Sequence, residues 1–509
     1  MMGEHQEQKN LFSYGVDLDR RMRPEHPLRR IKQQIDFDWI RAEVAHSYGR
    51  NGNVSVDPVI VMKLMFLLFY DDVRSERELM RIVPERLDYL WFLGLTLDDE
   101  VPDHSVLSKA RARWGADVFE RLFVHTIEEC VKAGLVEGKK LHMDGSLITA
   151  DASIDSVVTS SPELIKALRE AYGVQERKLE GNLGNPNYRP LRETTLSKTD
   201  PEAPMVRHSK MGGAGDSRPR YKHHRAVDDQ CGVITAIETT PGDVAEPKRT
   251  TALLEQHEAN TGHVATTVVA DQQYGTNANY RDLQQRGVKT YMGRLFGAGH
   301  RNNKGIFGPE RFTYNATADV YTCPNEQTLH PRRRSPLRQA TEYATRKGVC
   351  AACPIHDQCT RAKNGRTLTR NDQQELIDVA HTQANSPEAR RDRVRRRHIG
   401  EGSFADAKRH HFKRARWRRL WRQQIQDWLI AAIQNIKILL NQRPNPRNGA
   451  SGASPASYIT LIASLQRHLS ECLNILKQFF ATTGTELSRL SKRSDYPILN
   501  PFGQQPHKA

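Results

Sequence analysis

The stretch KKLHMD, residues 139–144, marks where the chain changes character. Before it, apolar residues recur at helical spacing. From it onward they alternate in short runs, and the first run ends on an acid, Asp144. A second run, VATTVVAD at 264–271, is rich in β-branched residues and also ends on an acid, Asp271. Between the two, YKHHRAVDDQCGVITAIETT (221–240) reads as a hairpin, and beyond them a helix around 277–286 closes at Gly287 before the strand VKTYM (288–292). Strands mixed with helices in this way imply an α/β domain. Open sheets of that class gather ligands beyond strand ends, and both acids are expected just past such ends.

Working outward, residues 1–137 are expected to form a helical N-terminal domain. Asp57 and Pro58 suit an N-cap and first helical position for PVIVMKLMFLLFY (58–70), and Ser105 is the candidate cap of the helix in DHSVLSKARARWG (103–115). The α/β core then occupies 138–295, is interrupted by a polar insertion over 296–385, and resumes over 386–442, with 443–509 as linker and C-terminal helical tail. Residues 160–220 hold one expected helix from Pro162 and then a polar, glycine-bearing loop. A helix restarts at Ser386-Pro387, and IQDWLIAAIQNIKILL (425–440) keeps Ile425, Trp428, Leu429, Ala432, Ile436 and Leu439 on one face. The chain shows no internal repeat.

Composition favours an anionic partner. Of the 509 residues, 76 are Lys or Arg and 60 are Asp or Glu, a formal net charge of +16, which points to nucleic acid. The longest apolar stretch, at 58–70, is broken by Lys63 and too short to span a bilayer. The opening MMGEHQEQKN is polar, so no signal peptide and a cytosolic location are expected. Seven cysteines in a chain of this length make no disulfide scaffold, and clustered ones in a reducing compartment point to metal. Cys323, Cys350, Cys353 and Cys359 fall together in the insertion, CAAC supplying two thiols at close spacing, which suggests a closed zinc site. The looser step from Cys353 to Cys359 leaves free thiols or an iron–sulfur cluster open. Cys130, Cys231 and Cys472 are isolated and read as ordinary thiols.

A third acid stands in RRRHIGEGSFADAKRHH (395–411), where Glu401 sits between Gly400 and Gly402 inside a strongly basic stretch. Arg397, Glu401 and Lys408 are four and seven residues apart and so share a helical face. A solvated Arg–Glu pair would explain that spacing at a gain of only about 0.3–0.5 kcal/mol, yet two glycines in a helix cost roughly 1 kcal/mol each. Close approach of the helix to the sheet or to a DNA backbone accounts for them better. Singly, each acid reads as a turn or surface carboxylate. Together, three acids from separate elements are what two hard cations need for phosphodiester chemistry, with surrounding bases to hold the phosphates.

LHMDGSLITADAS (141–153), LSKTDPEA (196–203), RYKHHRAVDDQCGVITAIETTPGDV (220–244), VVADQQYG (268–275) and EGSFADAKRHH (401–411) together resemble insertion-sequence transposases of the DDE type. HPLRRI (26–31) and VPDHSVLSKARAR (101–113) are similar to the helical domain that precedes the core there, and the resemblance runs to about residue 442. It implies a ribonuclease-H-like mixed sheet flanked by helices, preceded by a helical, DNA-binding N-terminal domain and interrupted by the small cysteine-containing insertion. It implies Asp144, Asp271 and Glu401 as the catalytic triad on two Mg²⁺ or Mn²⁺ ions, and cleavage and joining of double-stranded DNA at transposon ends and target. A homodimer on DNA, associated with the nucleoid, is the corresponding assembly. Arg397 and Lys408 match the motif around the glutamate, while Val394 stands where the family carries tyrosine.

Arg397, Lys408, Arg409, Arg414 and Arg416 are the expected phosphate contacts. Trp417 and Trp421, interleaved with arginines, could stack on bases or pack into the core. Asp151 reads as a solvated acid, and His223 and His224 as residues near the site or satisfied in the interior. A protein of the same fold that binds or cuts DNA without joining strands is the alternative. Convergent carboxylates argue for catalysis over binding alone.

Overall fold

The computed structural model describes residues 2–4, 17–49, 54–160, 170, 194–208, 215–293, 305–336, 339–362 and 364–441. The expected helix after Pro162, most of the polar loop that follows it, Cys472 and the C-terminal tail lie outside the described residues.

Helix α1 (Pro58–Tyr70) starts as its sequence dictates, with Asp57 accepting from the Val59 amide and Pro58 in the first turn. It is buried nearly all round, and Phe66 packs with Phe37 and Phe92 in the centre of the N-terminal helices. Even Lys63 is buried, its ammonium lying over the Phe37 and Phe92 rings. At the helix Ser105–Trp114 the expected cap moves: Asp103 accepts from the Ser105 amide, and Ser105 is the first helical residue. The next helix, α2 (Asp117–Lys132), leads into the sheet.

The central sheet is built from β1 (Lys140–Thr149), β2 (Asp216–Asp228), β3 (Ile234–Pro241), β4 (Thr267–Val269) and β5 (Lys289–Tyr291), with a sixth short strand, Met205–His208, paired antiparallel to the start of β2. Its order is β3-β2-β1-β4-β5. The first three strands pair antiparallel, and β4 and β5 add in parallel. Helices α3 (Thr250–Thr261) and α4 (Asn277–Gln285) make the crossovers on one face, where Leu253, Leu254, Tyr280 and Leu283 pack on Leu141, Met143 and Val268. This is the ribonuclease-H-like arrangement that the sequence led us to expect.

A second sheet lies within the insertion: β6 (Thr313–Asn315), β7 (Val320–Thr322), β8 (Thr328–Ser335), β9 (Ala340–Ala344) and β10 (Thr367–Asn371), paired in sequence order. The sequence reading carried the insertion on to residue 385. Helix α5 (Gln374–Asn385) instead packs Ile377 and Ala380 into the same apolar cluster as Leu141 and Tyr280, so it is a layer of the central sheet.

Helix α6 (Pro387–Lys408) begins at Ser386, whose hydroxyl accepts from the Ala389 amide, and crosses the other face of the sheet. Helix α7 (Leu420–Asn441) corrects a second expectation. It is not apolar on one face only: Gln423 and every residue from Ile425 to Ile436 are buried. The reason is its position, with α1 and α2 on one side and β3 on the other. Its polar residues are therefore used internally, Asn435 bonding both the amide and the carbonyl of Ile234. Among the described residues no helix is long and apolar enough to cross a membrane.

Candidate active site

Asp144 is the fifth residue of β1 and not the residue past its end. The strand runs on because β2 pairs with it from Leu141 to Thr149, whereas parallel pairing with β4 stops at His142 opposite Val269. Asp144 therefore sits at the opening left where β4 ends. The same register carried two residues further sets Asp144 beside Asp271, which caps the turn Gln272–Tyr274 by accepting from the Gln273 amide at 2.8 Å. Two carboxylates thus come abreast from adjacent parallel strands.

Helix α6 closes over Asp144. Arg396 Nη1 lies 3.1 Å from Asp144 Oδ2, and one turn on, a methyl group on Gly400 would come within 2.8 Å of that oxygen. Gly400 is buried there, and this contact explains why the helix tolerates it. Gly402 meets no heavy atom within 4 Å, so packing does not explain it. Burial raises the Asp144 pKa and the Asp271 charge adds to the rise, while Arg396 and the Gly145 amide oppose them. Glu401, next along from Gly400, is exposed. The structure brings Asp144 and Asp271 together and leaves the Glu401 carboxylate facing outward, on the same open helix side as Val394, Arg397 and Lys408.

The sequence missed one acid. Glu246, which begins the turn before α3, reaches back to β1, and a methyl group on Gly145 would stand 2.8 Å from its Cδ. Burial pushes its pKa up to about 7, opposed by Lys222 and reinforced by Asp271 and Asp144. In PGDVAEPKR an acid at a helix start reads as an ordinary first-turn carboxylate, so the sequence carries no signal for this proximity. Tyr274, fully buried, completes the surroundings. Its pKa is driven well above the usual phenol range by burial and then by the charges of Glu246, Asp144 and Asp271.

The basic run divides by role. Arg395 reaches Asp229, Arg396 reaches Asp144, and Arg397 is exposed. Lys408 and Arg409 are exposed; His410 turns inward to the Phe69 carbonyl, and His411 faces Asp72. Backbone bonds from Thr149 to Lys413 and from Ala415 to Thr149 hold Arg414 beside the end of β1, 62% exposed. Arg416 differs from the other expected phosphate contacts, because its guanidinium is 6% exposed and engaged with Asp72 at 2.7 Å. Trp417 packs edge-on against Phe69 with Arg111 over its ring, and Trp421 carries Arg422 over its own. Asp151 is a surface acid between Arg414 and Arg418.

His223 and His224 are both buried. His223 lies 3.0 Å from Asp427, and Arg225, the cross-strand neighbour of Asp144, donates to His223 and Ser403. His224 meets Thr240, and burial pulls its pKa down to about 3. These groups brace β2 against α6 and α7 from inside.

In the insertion, Cys323, Cys350, Cys353 and Cys359 line one small cavity with Phe312 and Leu329. Polar groups lie against three of the sulfurs: the Gln327 amide donates to Cys323 (3.3 Å), Asn325 Nδ2 donates to Cys353 (3.5 Å), and Thr345 Oγ1 and Cys350 share a hydrogen bond (3.1 Å) in which either can be the donor. Among the described residues no three His, Cys, Asp or Glu side chains stand gathered as a metal-holding group. As donor chemistry, the oxygen-only set at the sheet fits a hard divalent cation and the thiol set fits zinc.

Two family models match this chain: Transposase domain (DUF772) over residues 16–113, and Transposase DDE domain over residues 322–440. Among solved structures the chain is similar to the piggyBac transposase in its synaptic complex with hairpin DNA, at 10% sequence identity and a TM-score of 0.33, covering 86% of this chain and 79% of that one. No curated protein matches it.

Proposed function

Since the chain belongs to the DDE-type transposases, we propose that it cleaves and rejoins DNA strands at the ends of an insertion sequence, using divalent metal held by Asp144, Asp271 and Glu401. The observation that carries the reading is the register of β1 and β4, which sets Asp144 and Asp271 abreast beneath α6. Asp144 and Asp271 would hold Mg²⁺ or Mn²⁺, two ions in all, and Glu401 would complete the set from the helix seated on Asp144. Bound metal supplies an activated attacking oxygen and a stabilised leaving oxygen.

The protein's own groups do the rest. Arg396 balances the buried Asp144 charge and orients the carboxylate. Exposed Arg397, Lys408, Arg409 and Arg414 hold the phosphates of double-stranded DNA on either side of the acids. Arg416 serves that surface only by fixing the loop to Asp72. The N-terminal helices bind the transposon ends, and the protein works as a homodimer on DNA in the cytoplasm, at the nucleoid. The four cysteines of the insertion would hold a structural zinc ion by drawing together around it, supported by their shared cavity and by the donors of Gln327 and Asn325 at two of the sulfurs.

The test is a supercoiled plasmid carrying the element's terminal repeats, incubated with the purified protein and Mg²⁺. Cleavage at the repeat ends and joined products are expected. Cleavage without joining would make the protein a nuclease of the same fold, and no metal-dependent cleavage would overturn the reading.

A further inference from the structure

We infer that Glu246 is a further carboxylate of the cation site, reaching Asp144 and Asp271 from the turn before α3. The inference rests on the reading of Asp144 and Asp271 as that site. Three observations carry it. First, Glu246 is brought to β1 by a gap in the side-chain layer: Gly145 follows Asp144, and any larger residue there would meet the Glu246 carboxyl group, whose Cδ a methyl would approach to 2.8 Å. Second, the turn that Glu246 opens (Glu246–Arg249) packs on the turn that Asp271 caps (Gln272–Tyr274), so the two acids come from neighbouring turns on the same end of the sheet.

Third, Tyr274 is fully buried and its hydroxyl has no hydrogen-bond partner. A buried phenol left without a partner costs about 1–3 kcal/mol, so a structure keeps one only where something else meets it. The charges acting on that phenol are those of Glu246, Asp144 and Asp271, with Arg396 opposing them. An oxygen drawn into the cluster by a cation would give it that partner.

A purely structural role would have Glu246 serve Lys222. That contact is loose: Lys222 Nζ stands 3.9 Å from Glu246 Oε1 and donates instead to the Val244 carbonyl at 3.0 Å. Glu246 is 14% exposed. A carboxylate so enclosed, with no cation among the described residues nearer than Lys222 at 3.9 Å, suits an oxygen-coordinated divalent ion that would draw the three acids together, since they do not stand gathered without it.

The experiment measures Mn²⁺ binding to the full-length protein by the electron paramagnetic resonance signal of unbound Mn²⁺, with no DNA present. Glu246→Gln is expected to weaken binding about 10- to 100-fold. Gly145→Ala keeps every charge but pushes the Glu246 carboxylate aside, and is expected to weaken binding as well. Lys222→Met, which removes the structural partner and a positive charge near the site, should bind Mn²⁺ at least as tightly as the wild-type protein does. If Glu246→Gln binds normally while Asp144→Asn does not, this inference fails and the reading of the acid pair stands. If both bind normally, both fail. Should Glu246→Gln not fold, as judged by circular dichroism, Gly145→Ala decides: weakened binding supports the inference and normal binding overturns it.

Discussion

Arg396 and Asp144 form a contact of 3.1 Å between α6 and the middle of β1, with the arginine side chain 13% exposed. Gly400, one turn along, leaves bare backbone over the same carboxylate oxygen. One helix thus brings a compensating charge and its closest approach to a single buried acid.

The two glycines around Glu401 should behave oppositely when changed to alanine. Gly400→Ala places a methyl group against Asp144 Oδ2, overpacking the contact at a cost of about 1–3 kcal/mol and displacing the carboxylate from Arg396. Strand cleavage should fall further than stability does. Gly402→Ala adds a methyl in open space on the helix and should stabilise by roughly 0.5–1 kcal/mol. Urea denaturation of the two variants checks both signs.

Salt dependence should separate phosphate contacts from structural arginines. Lys408→Ala and Arg414→Ala should each flatten the slope of log affinity against log salt by about one ion on end DNA. Arg416→Ala should leave that slope alone and instead cost about 1–3 kcal/mol of stability, because it takes the guanidinium from the Val73 carbonyl and leaves Asp72 with His411 alone. A slope unchanged in all three variants would remove the basic face after Glu401 from the binding surface.

Asp200 should dominate one window of the pH–stability curve. It is fully buried, accepts from Tyr221 Oη at 2.7 Å, and burial pushes its pKa from 3.8 up to about 7. The folded state therefore holds the proton more tightly than the unfolded chain. Its contribution is fully present below about pH 4 and is lost as pH rises to about 7, at up to about 1.4 kcal/mol for each pH unit. Asp200→Asn keeps an acceptor for Tyr221 and should make that decline shallower, leaving the part that Glu246, raised to about 7 as well, contributes over the same range. An Asn variant whose stability falls as steeply as the wild type over this range would refute the assignment.

The insertion should carry about one zinc ion per chain by elemental analysis. Cys350→Ser should release it and expose the apolar cluster of Phe312, Leu329 and Tyr343, with Mn²⁺ binding at the acids unaffected. Zinc-free protein whose four insertion thiols all titrate without denaturant would contradict this.

Much of the fold was legible because local chemistry and position agreed. Asp57-Pro58 started α1 and Ser386-Pro387 started α6 where the sequence placed them, and the 221–240 hairpin lies within β2 and β3. Asp144 and Asp271 stood out only as a set with Glu401, since singly each acid reads as a turn or surface carboxylate. What stayed hidden depends on tertiary position. Arg395, Arg396 and Arg397 are indistinguishable in sequence, and only the rotation of α6 against β1 selects Arg396 for Asp144. Periodicity marked one apolar face of α7, but burial among helices on one side and sheet on the other takes in Gln426, Gln434 and Asn435 as well. Glu246 was hidden for the same reason, since its role depends on a glycine far away in sequence, Gly145.

The most direct test of the central claim is Mg²⁺-dependent cleavage of transposon-end DNA by Asp144→Asn, Asp271→Asn and Glu401→Gln, with end binding measured in the same samples. The account predicts that cleavage falls to background in all three while binding persists, since each substitution keeps size and hydrogen bonding but removes the charge a hard cation needs. Glu401→Gln bears hardest on the claim, because its carboxylate faces outward and is not gathered with the other two acids. Wild-type cleavage by a folded Glu401→Gln protein would contradict it.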